Sequence, residues 1–505
     1  MTSELPSRAG VVATVALLAL VPRVAAAQRA AAVAPSPPAR VASSEQSLKL
    51  EAPFGATGDH GGAVWYRLSP PFADPRFQPF AFEPRKNTAL ALGEVVGIDF
   101  GMWFVSYWIG NDFSKIGFDT IGQNFRKGWI IDTDSYWVNQ LGHPYEGALF
   151  YWAARSTGHD FYESFGASFV GSLVWEQFME VQSPSVNDQI TTSIGGTLLG
   201  EALYRMYRLV LDSGGAKPTP WREAAAFLVA PVAGFNRWAT GDRYRGEMLL
   251  PPSWMGQLHL GMVIGGSAAD HRTGATETTV GPWGSVGFHV LYGVPGTPDL
   301  RLREPMDHFD MSFALAFAGK AEPTASLLIR GLVLGDGIGR GEGFGGLWGL
   351  FASYDVIGVP VFKATGVGLG PGVSLMNRWG WFELHGTALA ELLPWGGGGS
   401  METLFARDYH YGPGAQGMLE LRGHFADRAT LDLSFREYWI SGAYATGSYE
   451  DMSFAKTMLT VRVHGPHAVS GTVDWARRHA SYPFAPDISQ DATVWSASYT
   501  LMQGW

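Results

Sequence analysis

Apolar and polar residues alternate with a period of two through the C-terminal half of the chain. In the segment 309–317, for example, the odd positions Phe309, Met311, Phe313, Leu315 and Phe317 are large and apolar, while the even positions are small or polar. Such segments, roughly ten residues long and bounded by turn residues, are typical of strands that face lipid on one side and a lumen on the other. Twelve strands are predicted, near 256–265, 283–293, 308–319, 325–335, 345–355, 362–374, 380–393, 414–425, 429–440, 453–464, 467–478 and 493–505.

A soluble β-sandwich would also contain alternating strands, but three features favour an outer-membrane barrel over 253–505. The strands follow one another in a long series, an exported leader precedes them, and the last segment carries Trp495, Tyr499, Leu501 and Trp505 on one face. A final strand that ends on an aromatic residue resembles the assembly signal of bacterial outer-membrane barrels. The sequence therefore predicts a closed antiparallel transmembrane barrel of about 12 strands.

The same alternation predicts which polar side chains face the lumen: His259, His289, Asp310, Arg330, Glu383, His385, Glu420, Arg422, His424, Asp432, Arg436, Arg462, His464 and Asp474. Charges of both signs in a tube of low dielectric constant are expected to pair, because an unpaired buried charge is costly. Two interpretations stay open: the side chains fill the lumen as a salt-bridged plug, or they line a narrow hydrated pathway.

Residues 87–240 show a helical period instead, so the fold class is α+β with a helical bundle before the barrel. Helices are predicted near 88–109, 134–157, 160–181, 186–211 and 221–238. The first is nearly long enough to cross a membrane, but it contains Glu94 and Asp99, so we interpret it as the core helix of a periplasmic bundle. Small residues in the third and fourth helices, including Gly166, Gly171, Gly196 and Gly200, predict a tight antiparallel hairpin between these two.

Polar motifs mark the starts and interiors of these helices. They are Asn139 with His143-Pro144-Tyr145-Glu146-Gly147, Trp175-Glu176, Pro184-Ser185-Val186-Asn187-Asp188, Gly196 to Glu201, and Asn236-Arg237. Over about residues 127–238 this combination resembles the DUF3943 family of uncharacterised secreted bacterial proteins. Glu146 departs from the pattern, because the resemblance implies that other members tolerate an apolar residue there, so it is not expected to be a catalytic necessity. The resemblance implies no activity.

Two interpretations compete for the polar residues His143, Glu146, Glu176, Glu180, Ser185, Asn187, Asp188, Glu201 and Arg205. In the structural one, His143 and Ser185 are N-caps, Glu146 completes a capping box, and Glu176 pairs with Arg205 between helices. In the other, His143, Glu176, Glu180 and Asp188 converge as a metal or acid–base site, as carboxylates and imidazoles on facing helices can. A single His in the cluster is weak evidence for a metal, and no metal or cofactor is predicted.

The N-terminus predicts export. Residues 1–27 combine an apolar run from Val11 to Val21 with Ala25-Ala26-Ala27, which is typical of a signal peptide. Residues 28–86 are predicted to be a disordered or extended Pro-rich linker. An even-stranded barrel has both ends in the periplasm, so the helical domain at 87–240 is expected beneath the barrel, where it could plug or gate its mouth.

Composition narrows the function. The chain has 505 residues, a formal net charge of −10 and no Cys, which argues against a nucleic-acid partner and excludes thiolate chemistry. No H-x-S-x-G or G-x-S-x-G motif is present. We therefore predict a non-enzymatic outer-membrane protein of envelope transport or organisation, with outer-membrane lipid, the barrel-assembly machinery and a periplasmic protein as partners. The alternative is an envelope lipid-modifying or metal-dependent hydrolase that uses the helical cluster.

Overall fold

The computed structural model describes residues 86–503, except 213–217, 241–251, 272–274, 298–299, 318–323, 341–342, 400–408, 443–447 and 484. The predicted signal peptide and linker lie outside the described residues. The helices are α1 Thr88–Trp108, α2 Phe118–Asn124, α3 His143–Arg155, α4 Phe161–Val174, α5 Val186–Ile190, α6 Gly196–Asp212, α7 Pro220–Val229 and α8 Pro231–Ala239. Single π-helical turns at Val138–Gly142, Trp175–Met179 and Thr191–Gly195 precede α3, follow α4 and join α5 to α6.

Twelve strands follow the helices: β1 Trp254–Asp270, β2 Ala275–Tyr292, β3 Phe309–Ala316, β4 Thr324–Arg340, β5 Phe344–Gly358, β6 Lys363–Trp379, β7 Phe382–Gly399, β8 Tyr409–Phe425, β9 Ala429–Ser441, β10 Tyr449–His464, β11 His467–Tyr482 and β12 Ala485–Gln503. Each pairs antiparallel with its neighbours in sequence, and β12 pairs with β1 to close the ring. The predicted twelve-stranded barrel is confirmed.

The two ends of the barrel differ. Chain segments 380–381, 426–428 and 465–466 are short turns at the end where β1 begins and β12 finishes, which we call the short-turn end; the longer connection 293–308 between β2 and β3 also lies there. The opposite, long-loop end carries the connections 400–408 and 442–448. Short turns beside both barrel termini match the periplasmic side of outer-membrane barrels.

Strand β8 shows how the two faces of the wall are used. Glu420 and Arg422 line a cavity in the lumen, so the odd-numbered residues of this strand face outward. Leu419 is among the exposed large apolar side chains, whereas Tyr409 and Tyr411, on the same outer face, are buried. The outer wall of the barrel is therefore partly bare and partly covered.

The helical domain is what covers it. Helical residues such as Tyr151, Trp152 and Leu198 share one apolar core with the outward-facing residues Val290, Tyr292, Phe309, Met311, Leu327, Ile329, Tyr354, Val356, Val367, Trp395, Tyr409 and Tyr411. These barrel residues belong to β2 to β8 and run diagonally from the short-turn end to the long-loop end. The predicted plug beneath the barrel mouth was wrong: the described helices pack along the outside of the wall, because β2 to β8 offer them an apolar surface there.

Buried hydrogen bonds hold the helical domain against the wall at the long-loop end. The Gln140 side chain donates from Nε2 to the Tyr411 hydroxyl (2.6 Å) and accepts at Oε1 from Tyr354 (3.0 Å) and Thr365 (2.8 Å). The Tyr136 hydroxyl donates to the backbone oxygen of Ala364 (2.5 Å). Because every one of these groups is buried and paired, the docking position is specific.

Helix packing inside the domain centres on α3. A Cβ on Gly147 would lie 1.8 Å from the Thr192 backbone oxygen, and one on Gly196 would lie 2.6 Å from the Gly147 Cα. Gly171 and Gly200 likewise face Phe150 and Tyr151 of α3. The tight hairpin predicted between the third and fourth helices was therefore wrong about the contact that the glycines make. Gly171, Gly196 and Gly200 make room for α3, whereas Gly166 has open space around it.

Helix α1 is not a core helix, contrary to the prediction. Only Ala91, Val95 and Asp99 are buried along its length, and Glu94 accepts a hydrogen bond from Asn236 Nδ2 (2.8 Å). The two acidic residues thus face the bundle together with Ala91 and Val95, and most of the large apolar residues of the helix face away from it.

Candidate functional site

His143 lies between two carboxylates at the start of α3. Its Nδ1 is 3.4 Å from Glu146 Oε2, and its Nε2 is 3.5 Å from Asp188 Oδ1. His143 is not an N-cap, because the π-helical turn Val138–Gly142 runs directly into α3 and His143 itself has helical dihedral angles. The predicted N-cap and capping box at His143 and Glu146 were therefore wrong, and the imidazole side chain is free to pair with acids. Single π-turns often occur at functional sites.

The second predicted cap is confirmed. Ser185 begins α5, and its hydroxyl accepts from the Asp188 backbone N–H (3.2 Å). The Ser185 backbone N–H in turn donates to Glu176 Oε2 (2.5 Å). The predicted pairing of Glu176 with Arg205 was wrong. Glu176 lies on the His143 side of the domain instead.

Asparagine side chains connect this cluster to the barrel. Asn187 Nδ2 donates to Asp188 Oδ1 (2.7 Å) and to Asp132 Oδ1 (2.6 Å). Asn139 Nδ2 also donates to Asp132 Oδ1 (2.8 Å) and to the hydroxyl of Tyr409 (2.7 Å). A continuous chain of polar contacts thus runs from the outer wall at β8 to His143.

The electrostatics of this cluster are set by an excess of buried acids. Burial alone lowers the pKa of His143, but Asp188, Glu146 and Glu176 raise it, and the net pKa lies well above its usual range. Burial raises the pKa of Asp188 to about 7, with His143 opposing the shift. Burial and the charge of Asp188 raise the pKa of Glu180 to about 8, and burial with Glu180 raises that of Glu176. The cluster therefore holds protons and changes charge near neutral pH.

The remaining two candidates form a separate ion-pair group. Glu201 Oε1 accepts from Arg205 Nε (2.7 Å), four residues along α6, and Glu201 Oε2 accepts from Arg155 Nε (3.1 Å). Arg205 continues to Asp307 (2.8 Å), and Arg155 continues to Glu304 (2.9 Å), both in the connection between β2 and β3. The structure thus divides the nine candidates between a His143 cluster toward the long-loop end and a Glu201 group toward the short-turn end.

Ion pairs cross the lumen between β3 to β5 and β8 to β9. Arg330 donates to Asp310 (3.0 Å) and to Glu420 (2.8 Å), and Arg436 donates to Glu420 (2.9 Å) and to Asp355 (3.3 Å). We call these five residues the ion-pair wall. Behind it, Ser353, Glu391 and Gln416 are hydrogen-bonded to one another and buried.

A cavity of about 310 Å³ lies in the lumen on the other side of the ion-pair wall. Its lining includes the predicted lumen residues His259, His289, Asp310, His385, Glu420, Arg422, Asp432, Arg436 and Asp474, together with Lys456, Thr472, Ser496 and Ser498. The lumen thus contains a salt-bridged network on one side and a cavity on the other.

Within the described ranges, one trio has ligand atoms close enough for a metal ion: Glu383, His385 and His424, in the lumen at the short-turn end. All three were predicted to face the lumen but not to form a group, although Glu383 on β7 and His424 on β8 stand in register. Glu383 is already engaged by His385 Nε2 and Arg378 Nε, both at 2.6 Å. Glu383 and His385 are accordingly a hydrogen-bonded pair here, and the His424 ring packs against His385 with 5.2 Å between ring centroids.

The helical domain and the barrel resemble different sets of known proteins. The family model described as a domain of unknown function, DUF3943, matches residues 128–232, which confirms the resemblance in the polar motifs. No protein with a curated description matches the chain significantly.

Among solved structures, the toluene transporter TodX of Pseudomonas putida is 10% identical, with a TM-score of 0.21, over 51% of this chain and 90% of that one. The outer-membrane protease OmpT from Escherichia coli is 8% identical, with a TM-score of 0.23, over 50% and 97%. The anion-selective porin from Comamonas acidovorans is 8% identical, with a TM-score of 0.20, over 49% and 98%. These likenesses concern the barrel fold alone.

Proposed function

We propose that the protein is a non-enzymatic transport barrel of the outer membrane, in which the cavity beside the ion-pair wall is the path of a small polar solute. The cavity carries the proposal. Its volume of about 310 Å³ falls within the range of small-molecule sites, and its largely apolar lining also carries hydroxyl groups and charges of both signs. A tube meant only to be filled would need no such space.

The ion-pair wall supports this division of the lumen. Arg330 and Arg436 each bind Glu420, so the charges that face the cavity are held by neighbours and do not collapse into it. Separating any of these ion pairs would leave an uncompensated buried charge, so the wall is expected to stay paired. The helical domain covers the outside of the same strands, which supports its role as a fixed brace for the filled half.

The test is conductance of the full-length protein in planar bilayers. Thr472 lines the cavity, while its neighbour Val473 points to the outside of the wall and is exposed. Wild-type protein should give discrete current steps, Thr472→Trp should at least halve their size, and the matched control Val473→Trp should leave them unchanged. Absence of current above background, or equal steps in both variants, would refute the transport path.

A second candidate is acid–base chemistry at the His143 cluster, in line with the alternative of an envelope hydrolase. The observation in its favour is one imidazole between two carboxylates, one of which has a pKa of about 7. Turnover of phospholipid or lipopolysaccharide by purified protein, lost in His143→Gln with the barrel intact, would support this candidate; no turnover by wild-type protein would end it.

A further inference from the structure

The helical domain occupies positions on the barrel wall that face outward at the same level as bare apolar positions. One row of paired residues shows this: Leu258 on β1 pairs with Phe288, Phe288 with Phe313, and Phe313 with Leu327. Leu258 is exposed, whereas Leu327 is buried in the core shared with the helices. The domain therefore begins where the bare apolar belt ends.

That bare belt covers the rest of the ring. Its exposed apolar side chains include Leu260 and Met262 on β1, Leu419 on β8, Leu433 and Phe435 on β9, Leu459 and Val461 on β10, Val469 and Val473 on β11, and Tyr499 on β12. An outward apolar band on a closed barrel is the surface that contacts acyl chains. A domain that replaces this band over several strands takes the place of lipid there.

The far side of the domain is apolar as well. Helix α1 is long and apolar enough to cross a membrane, and only 17% of its most apolar 18-residue stretch is buried. Phe100 is 54% exposed, close to the 50% of Leu260 on the barrel belt. At 1.5 Å per residue its 21 residues span about 31 Å, which matches a hydrocarbon core of about 30 Å.

The polar residues of α1 point the opposite way from those of a water-facing helix. Asp99 is fully buried, and Glu94 bonds to Asn236 inside the bundle. Intramembrane acids normally face a bundle interior in this manner. At the end of α1, Tyr107 and Trp108 are exposed, as are Trp221 and Trp238 on α7 and α8, and such rings favour the membrane interface.

We propose that the helical domain lies in the outer membrane beside the barrel, with α1 facing the acyl chains of the bilayer. The N-terminus of α1 lies near Thr157 and His159, on the side of the short-turn end, and its C-terminus lies near Ser114, on the side of the His143 cluster. The helix thus crosses the bilayer in the same direction as β1. This inference does not depend on the lumen being a transport path.

The chain offers a direct test because it contains no Cys. Single-Cys variants of the full-length protein are spin-labelled, reconstituted in phosphatidylcholine–phosphatidylglycerol vesicles, and probed with oxygen, which enters lipid, and with a water-soluble nickel chelate. Phe100→Cys reports on α1, Leu260→Cys is the lipid-facing control on the barrel, and Asp119→Cys on the exposed side of α2 is the water-facing control.

The label at position 100 should resemble that at position 260, with collisions with oxygen at least threefold more frequent than those with the nickel chelate. Position 119 should show the reverse ratio. Nickel access at position 100 equal to that at position 119 would overturn the proposal. So would shielding from both reagents that disappears when the protein is diluted in lipid, since a second copy would then cover α1. Heat-modifiable migration on gels verifies that each variant has a folded barrel.

Discussion

Tyr354 and Asp355 are adjacent on β5 and bind partners on opposite sides of the barrel wall. The Tyr354 hydroxyl donates to Gln140 of the helical domain outside (3.0 Å), whereas Asp355 accepts from Tyr438 inside the lumen (2.6 Å). Two successive residues of one strand therefore connect the domain, the wall and the lumen network. Any movement of β5 would disturb both sets of contacts.

Loss of the Gln140 side chain should loosen the domain and leave the barrel intact. Gln140→Ala removes three side-chain hydrogen bonds from a buried interface. Tyr354 keeps the backbone oxygen of residue 140 (3.0 Å) and Thr365 keeps that of Asp355 (2.8 Å), so the change should cost about 1–3 kcal/mol of docking free energy. Hydrogen exchange should rise over α3 to α6 while heat-modifiable migration of the barrel is kept. The exposed control Gln123→Ala should change neither. Unaltered exchange in Gln140→Ala would show that the apolar core alone holds the domain.

The domain should become less stable as the pH rises. Asp188 has a pKa of about 7 and Glu180 one of about 8 in the folded state, against about 4 when unfolded. The folded state then binds more protons between these values, so stability is full below about pH 4 and is lost progressively up to about pH 8. His143, whose pKa is also raised, contributes in the same direction, and Asp132, Asp134, Glu146 and Glu176 are the other acids that face the cluster.

Denaturant titration of the helical circular dichroism at several pH values measures this dependence. Glu180→Gln, which cannot ionise, should flatten the decline between pH 6 and pH 9. A midpoint that increases with pH in the wild type would contradict the assigned directions.

Glu201 should be the most sensitive acid of the domain. Glu201→Gln leaves Arg155 and Arg205 facing each other without their shared buried carboxylate, and removal of one partner from a buried pair costs about 3–5 kcal/mol. Glu304→Gln removes a half-exposed partner of the same Arg155 and should cost less than about 1 kcal/mol. Thermal unfolding of the two variants in detergent gives the comparison; similar losses would mean that the Glu201 group is solvated.

Gly147 should tolerate no side chain. Gly147→Ala would place a Cβ 1.8 Å from the backbone oxygen of Thr192, so α3 and the Thr191–Gly195 turn must separate. Folded yield of the helical domain should fall sharply. Gly166 has open space around its Cβ position, and Gly166→Ala should be neutral or slightly stabilising because Ala favours helices. Equal yields for the two variants would argue against close contact between α3 and this turn.

The barrel could be predicted from sequence because apolar and polar residues alternate along each strand, and this alternation shows which residues face lipid and which face the lumen. Residues 309–316 show the apolar positions outward and Asp310 inward, as in the structure. The same logic predicted the lumen residues of β8, although Tyr409 and Tyr411 on the outer face gave no sign that a domain covers them.

The site was harder to predict because it depends on contacts distant in sequence. The prediction that His143 is an N-cap was wrong because the preceding π-helical turn continues into α3. Pro144 is compatible with the first turn of a helix in either case, so no local sequence pattern distinguishes a capped start from a continued helix. The docking of Gln140 joins residues more than two hundred positions apart. Glu94 and Asp99 argued against a lipid-facing α1 only as long as their direction was unknown.

The last four strands of the ring lie away from the helices. The sheet closes where β12 meets β1, and among the described residues none from β9 to β12 enters the apolar core shared with the domain, whereas Trp254 of β1 packs against it. Synthesis makes the domain first and these four strands last. The finished N-terminal half can therefore act as a preformed scaffold along which the early strands line up, while the final hairpins are added and zipped to β1 without displacing it.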